Sequence, residues 1–177
     1  MYNGRTNQPS ISQLQNVLDV SDPLNVTTGN PDLEQEFNHN MNVSFSTFNI
    51  LTFRLIAANL NFSTTRNRIV NSIDTLSRNV QLVKPVNVNG YFQGSSFVTL
   101  GLPFKNPKLK GSSLNFTNSM SYTRDVSLLY KQLNTGNIIA VSQGAGININ
   151  KDKFDVGVRL NIAYTDVTYS VNTLLNE

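Results

Sequence analysis

The feature that most constrains the fold is an alternation of apolar and small polar residues across 137–164, which reverses only at Lys151-Asp152. A period of two places the two sets on opposite faces of an antiparallel hairpin. The polar set is mostly Ser, Gly and Asn rather than Lys and Glu, which is typical of a wall between lipid and an aqueous interior. In the second arm, Phe154, Val156, Val158, Leu160 and Ile162 alternate with Asp155, Gly157, Arg159, Asn161 and Ala163.

The composition agrees with this interpretation. Charged residues make up 14% of the 177 residues, against roughly a quarter in a typical soluble domain. The chain has no cysteine, which excludes disulfides and thiolate metal sites. Its net charge is +3, but the basic residues are scattered rather than clustered among stacking aromatics. We therefore expect no nucleic-acid partner.

The sequence contains no apolar run of about 18 residues, so we expect no transmembrane helix. The first residues, Met1 to Arg5, lack the charged start and the apolar stretch of a secretory signal. If the protein lies in the outer membrane, its export signal must be upstream. We therefore expect the chain to be an internal fragment of a longer protein.

The same alternation recurs along the chain and predicts an all-β fold of about six long strands. Tight turns are predicted at Phe48-Asn49, at 103–108 and at Lys151-Asp152, and long links at 64–85 and 124–136. Short periplasmic turns at one rim and long extracellular loops at the other are typical of bacterial outer-membrane barrels. We thus predict that 37–177 is part of an antiparallel transmembrane β-barrel. The predicted strands are 37–47, about 49–63, 86–102, 109–123 and the two arms of the last hairpin.

The segment 1–36 lacks the long apolar–polar alternation of the later strands and is predicted to be an extracellular loop. Ser10 and Gln13 have the spacing of a capping box, and apolar residues from Ile11 to Leu18 then fall on one helical face. This pattern predicts one short helix near residues 11–18.

The polar face of the predicted strands supplies the candidate site residues. A two-residue loop at Lys151-Asp152 would pair Asn150 with Lys153 and Gly144 with Arg159, leaving room for the guanidinium to lie along the wall. We therefore expect Arg159 to line the lumen. The predicted lumen-lining residues are Asn59, Asn61, Asn148, Arg159 and Asn161.

Aromatic residues cluster near both ends of the predicted strands, as interfacial girdles require, although Phe and Tyr also favour strands in general. His39 is the only histidine, which argues against a triad or a multi-histidine metal site. The acidic residues Asp32, Glu34 and Glu36 belong either to a solvated loop or to a site that recruits a cation such as calcium. We predict no catalytic residue, no cofactor and no metal site, and expect that the protein is not an enzyme.

The segment Gly4 to Phe45 carries a more specific set of motifs, and shorter matches follow later in the chain. The residues concerned are Tyr2, Arg5, Gln8 to Ile11, Gln13 to Gln15, Asp22 to Leu24, Gly29 to Leu33, Phe37, His39 and Asn40, followed by Asn67 to Val70, Pro85 to Gly90, Gly101 to Phe104 and Asn150 to Phe154. With these residues the chain resembles the Bacteroidetes-type outer-membrane β-barrel family, the barrel of TonB-dependent receptor-like proteins. Asn16 departs from the pattern, since relatives often have Pro there, and it would let the short helix run on.

The resemblance implies a section of a large Gram-negative outer-membrane transport barrel of about 22 strands. The implied partners are outer-membrane lipid, an unidentified transported substrate and the remaining barrel strands. The TonB system would be contacted only through N-terminal parts missing from this chain. The alternative is a non-transport outer-membrane or secreted adhesin-like β-protein that binds a partner through its loops or sheet edges.

Overall fold

A computed structural model describes residues 1–77, 80–151 and 154–171. The described chain is mostly β-structure. None of its helices has the length and apolar composition needed to cross a membrane. It contains one α-helix, α1 (Ile11–Leu14), and a 3₁₀ turn at Pro107–Leu109. The strands are β1 (Tyr2–Asn7), β2 (Asn25–Thr27), β3 (Glu36–Asn49), β4 (Arg54–Arg66), β5 (Arg68–Ser77), β6 (Val80–Val88), β7 (Tyr91–Pro103), β8 (Ser113–Leu129), β9 (Gln132–Lys151) and β10 (Phe154–Tyr169).

The long strands form one antiparallel layer in the order β1-β3-β4-β7-β8-β9-β10, which we call the wall. Within the described residues, β1 and β10 each pair on one side only, so the sheet does not close into a barrel. The described residues form ten strands rather than the predicted six or so. The fold class is as predicted, but the strand count was wrong.

One source of the error is the link 64–85, which is the continuation of a hairpin rather than a loop. Thr65 pairs with Tyr91 at the end of the β4–β7 ladder, and Arg68 pairs with Val88 at the start of the β5–β6 ladder. The register is therefore unbroken across the junction. β4–β5 and β6–β7 are the two arms of one hairpin that projects beyond the wall.

The two arms exchange places where the hairpin leaves the wall. Below the junction, β7 lies between β4 and β8; above it, β5 pairs in parallel with β8 at Ser72 and Ile73. This reversal requires the hairpin to rotate about its own axis. Asn67 (φ 51) and Gly90 (φ 107) form the bend, and Asn and Gly are the residues that tolerate positive φ best.

The other predicted long link, 124–136, is also strand. β8 and β9 run on to a two-residue turn at Tyr130-Lys131, and Leu129 pairs with Gln132. At the opposite end of the wall, the first turn is at 50–53 rather than at Phe48-Asn49, because both of those residues pair with β4. The β7–β8 connection, predicted at 103–108, spans 104–112.

The N-terminal segment has the predicted capping box, in which Ser10 Oγ accepts from Gln13 N and Gln13 Oε1 accepts from Ser10 N. The helix ends at Leu14 rather than near Leu18, so Asn16 does not prolong it. The reason is tertiary: the carbonyls of Gln13 and Gln15 accept hydrogen bonds from Asn30 N and Gly29 N instead of continuing the helix. The segment 1–36, expected to be loop, also contains β2 and the wall strand β1.

Residues 8–35 and 67–90, together with the ends of β8 and β9 at 125–136, form a compact unit at one end of the wall, which we call the cap. β2 pairs in parallel with β6, and the hydrophobic side chains buried in the described chain, Val26, Val88 and Val126, all lie here. The end of the wall next to the cap is the cap rim, and the opposite end is the turn rim.

Candidate functional site

The wall has one apolar and one polar face, because paired residues of neighbouring strands point to the same side. A row across the middle of the apolar face runs Val43, Leu60, Ser96, Met120 and Val141. Leu60 is 52% exposed and Met120 is 48% exposed, so no second layer of the described chain covers this face. The adjacent row on the polar face is Asn42, Asn61, Ser95, Ser121 and Ala140.

All of the predicted lumen-lining residues lie on the polar face. Asn59 and Asn61 belong to β4, whereas Asn148, Arg159 and Asn161 belong to β9 and β10. The structure therefore brings them to one surface but not to one cluster, because β7 and β8 separate the two groups. Whether this surface bounds a lumen stays a prediction.

Asn59 and Asn61 form a hydrogen-bonded chain with Asn42 on β3. Asn61 Nδ2 donates to Asn59 Oδ1 at 2.6 Å, and Asn42 Nδ2 donates to Asn61 Oδ1. Each amide is both donor and acceptor, so these side chains hold one another in place and leave further groups free for water or a polar solute. The cluster therefore offers hydrogen-bond donors and acceptors but carries no net charge.

The second group lies flat against glycines. A side chain at Gly144 would collide with the Asn161 amide, and one at Gly157 would meet Asn148 Oδ1 at 2.7 Å. Arg159 lies beside Gly146, where an added Cβ would be 3.7 Å from Arg159 Cβ and Cγ. The glycine opposite Arg159 is therefore Gly146 rather than the predicted Gly144, and a Cβ at Gly146 would make only ordinary contacts with Arg159. That glycine makes room for the Arg159 guanidinium stays a prediction.

The predicted register of this hairpin was wrong by two residues. Arg159 pairs with Gly146 rather than Gly144, and Lys151 pairs with Phe154 as part of the ladder. Lys151 is therefore a strand residue, while the predicted turn residue Asp152 and the predicted partner Lys153 lie outside the described residues. A two-residue shift keeps every side chain on its face.

Several residues of the polar face escaped the sequence-based prediction. Asn3 on β1 pairs with Asn40 on β3, and both line a pocket of about 440 Å³ with Asn42 and Gln93. The signal that could have found Asn3 was the match at Tyr2 and Arg5 to a strand end. Phe97 pairs with Asn59 and places an aromatic ring, 46% exposed, on this otherwise polar face.

At the cap rim, charged side chains support the architecture. Arg68 forms an ion pair with Asp125 and lies over the Tyr91 ring, with Cζ 4.0 Å from its centroid. Glu34 Oε2 accepts from Asn67 Nδ2 at 2.6 Å, and Glu36 Oε1 accepts from the Ile69 backbone N–H at 2.7 Å. Glu34 and Glu36 thus hold the bend between β4 and β5.

The outer loop of the cap contains two aspartates with shifted acidity. Hydrogen bonds from the Ser21 side chain and backbone lower the pKa of Asp19, and hydrogen bonds from the Asn25 side chain and the Leu24 backbone lower that of Asp22. Each donor stabilises the carboxylate form. In the part of the chain that the structure describes, no three His, Cys, Asp or Glu side chains come together as a metal site.

The wall is a single layer, with one face apolar and uncovered and the other lined mainly by neutral polar groups, and a family comparison agrees with this architecture. The model of an outer membrane protein beta-barrel family matches residues 1–173. The chain belongs to this outer-membrane β-barrel family. Its location is therefore the outer membrane, and its apolar face is the face suited to lipid. Comparison with curated proteins and with solved structures gives no match.

Proposed function

We propose that this chain is a section of a TonB-dependent outer-membrane transporter or receptor barrel, in which the apolar face meets lipid and the polar face lines the uptake pathway. The observation that carries the proposal is the neutral polar face. Around Asn59 and Asn61 it offers amide and hydroxyl groups rather than charges. Such groups hydrogen-bond a passing polar solute, and they lack the charge that would hold an ion tightly.

The free edges of the wall support a larger barrel. Within the described residues, β1 and β10 each have one unpaired edge, and β10 alone extends from Phe154 to Tyr169. Unpaired backbone groups in hydrocarbon cost several kcal/mol each. We therefore propose that further strands pair with both edges and complete the barrel. The plug and the TonB-contacting part of the proposal rest on the resemblance to TonB-dependent receptor barrels alone.

Cysteine accessibility tests which face is wet. The chain contains no cysteine, so Ser142→Cys and Val141→Cys each introduce the one thiol of this part of the protein, on the polar and the apolar face of β9, and the unsubstituted protein serves as the labelling background. In the full-length protein in membranes, a water-soluble maleimide is expected to label position 142 and to leave position 141 unlabelled. The opposite pattern would overturn the assignment of the faces.

Dependence on TonB is a separate measurement. In living cells, labelling at position 142 from outside is expected to rise when the inner membrane is energised and to fall when an uncoupler is added, because an energised plug opens the pathway. Equal labelling in both conditions contradicts TonB-dependent transport but leaves the wall assignment intact.

A second candidate function is partner binding at the cell surface by the cap. Val17, Leu18 and Val20 form an exposed aliphatic loop, each between 61% and 69% exposed. Exposed apolar clusters on a protein surface commonly mark interaction sites. Replacement of all three by Ser is expected to reduce sedimentation of expressing cells if the cap acts as an adhesin, and to leave labelling at position 142 unchanged.

A further inference from the structure

We infer that the lipid-facing side of the wall carries a specific site for a phosphorylated lipid, with Arg66 and Arg124 holding the phosphate and a groove over Gly94 and Ser96 holding an acyl chain. The inference goes beyond the proposed transport function. It rests on the outer-membrane location and on the geometry of the apolar face.

The groove is formed by two small residues on β7. Gly94 and Ser96 leave a depression of about 580 Å³ between the taller side chains of β4 and β8. Leu60 on one side and Met120 on the other form its walls. Because this face is directed toward lipid, the natural occupant of an apolar depression here is a hydrocarbon chain.

An aromatic cluster closes the groove on the side of the cap rim. The Phe92 ring lies 4.8 Å from that of Phe62 and 5.7 Å from that of Tyr122, measured between centroids. Aromatic rings concentrate at the membrane–water boundary, where an apolar body and a polar edge are both accommodated. The cluster therefore indicates the height at which acyl chains give way to headgroups.

Two arginines flank Phe92 at this height. Arg124 pairs directly with Phe92, and Arg66 lies two residues beyond Thr64, the partner of Phe92 on β4. Both are on the apolar face, and the strand spacing separates them by about 10 Å across the sheet and about 7 Å along it. Flexible side chains of this length can converge on one headgroup.

Neither arginine forms an ion pair with a described residue, since the ion pairs there join Arg68 to Asp125 and Lys131 to Asp74. Glu34 lines the same depression as Arg66, but its Oε2 accepts from Asn67 Nδ2. Guanidinium groups bind phosphate in a bidentate manner, and basic pockets at the membrane surface bind anionic headgroups. Cations above and an apolar groove below match one amphiphilic ligand with a phosphate head.

The test compares phosphatidic acid with diacylglycerol of the same chains, added to the full-length protein in nonionic detergent and followed by native mass spectrometry. The protein is expected to bind phosphatidic acid about tenfold more tightly than diacylglycerol. Millimolar inorganic phosphate is expected not to displace it, because phosphate lacks the chain.

Two sets of variants test the binding of the lipid phosphate and of the acyl chain separately. R66Q/R124Q is expected to weaken phosphatidic acid binding about tenfold, whereas K105Q/K110Q at the turn rim changes it less than about twofold. G94L fills the groove and is expected to weaken binding about tenfold, whereas A58L on the same face leaves it unchanged. An added Cβ at Gly94 meets Phe92 Cζ at 3.6 Å, an ordinary contact, so the backbone has room for a side chain at this position.

S96L repeats the groove test at a second position. If the arginine variants weaken binding but G94L and S96L do not, the site is a headgroup or free-phosphate site and the acyl groove is refuted. If the arginine and control variants behave alike, or if phosphate displaces the lipid, the lipid site is refuted as a whole.

Discussion

The wall and the cap differ in what covers their apolar side chains. In the wall, Val43 and Leu60 remain about half exposed, because a single sheet has no second layer to pack against. In the cap, Val126 is 1% exposed and Val26 is 6% exposed, within a small core of the chain's own making. The wall therefore depends on lipid as its solvent, whereas the cap buries a few apolar side chains within the chain itself.

The largest test of this contrast is a charge on the lipid face. Val141→Arg, in the middle row of the apolar face, is expected to lower the free energy of unfolding from bilayers by about 2–4 kcal/mol. Its neighbour Ala140 points to the polar face, so Ala140→Arg is expected to cost less than about 1 kcal/mol. Urea titration in phospholipid bilayers measures both. Equal costs for the two variants would contradict the sidedness of the wall.

A cavity in the cap is expected to have a more local effect. Val126→Ala removes buried methyl groups and should destabilise the cap by about 2 kcal/mol. Hydrogen exchange should then speed up in β5 and β6 while the middle of β3 and β4 stays protected. Val43→Ala, on the lipid face, provides the control and should leave the cap protected. Uniform loss of protection after Val126→Ala would show that the cap and the wall are not separate units of stability.

The turn between β8 and β9 offers a gain in stability. Tyr130 (φ 49) and Lys131 (φ 63) both occupy the left-handed region, where Asn-Gly is the favoured pair. Replacing them with Asn-Gly is expected to stabilise the cap rim by about 1 kcal/mol. Lys131→Ala keeps the strain and loses only the exposed ion pair with Asp74, so it should change stability by less than about 0.5 kcal/mol. Denaturation in detergent measures both changes, and a destabilising Asn-Gly pair would argue against strain in this turn.

The smallest expected effect is a change in the pKa of Asp19 in the cap. Hydrogen bonds from Ser21 lower the pKa of Asp19 in the folded protein. The stability that these bonds give the loop is therefore complete above the pKa of an unfolded aspartate, and it is lost as the pH falls through the lower pKa of folded Asp19. Ser21→Ala is expected to raise the pKa of Asp19 toward its ordinary range, as followed by an NMR titration of the carboxyl carbon. Asp22 should be unaffected, because its donors are Asn25 and Leu24. An unchanged Asp19 would show that Ser21 does not set its acidity.

The wall was largely predictable, because a period of two over many residues has no other structural meaning. The long ladders of β3, β4, β9 and β10 and the polar-face position of Asn59, Asn61, Asn148, Arg159 and Asn161 followed from it. The register of the last hairpin did not. Pairing Arg159 with Gly144 or with Gly146 produces the same alternation, so the pattern cannot distinguish them.

The cap was mostly missed by the sequence-based prediction, because turn-forming and polar residues interrupt the alternation of its strands. Pro85 lies within β6, where it is tolerated because β2 pairs with β6 only over residues 81–83. Tyr130-Lys131 forms a tight turn without Gly or Asn. The exchange of β5 for β7 beside β8 is a long-range pairing that no local pattern records.

That exchange has a mechanical consequence. β5 is the direct continuation of β4, yet its backbone bonds to β8, so it bridges over the end of β7. Separating β7 from β8 would therefore also require breaking the pairing between β5 and β8. Any lateral opening of this part of the wall would begin only after the bridge had been released.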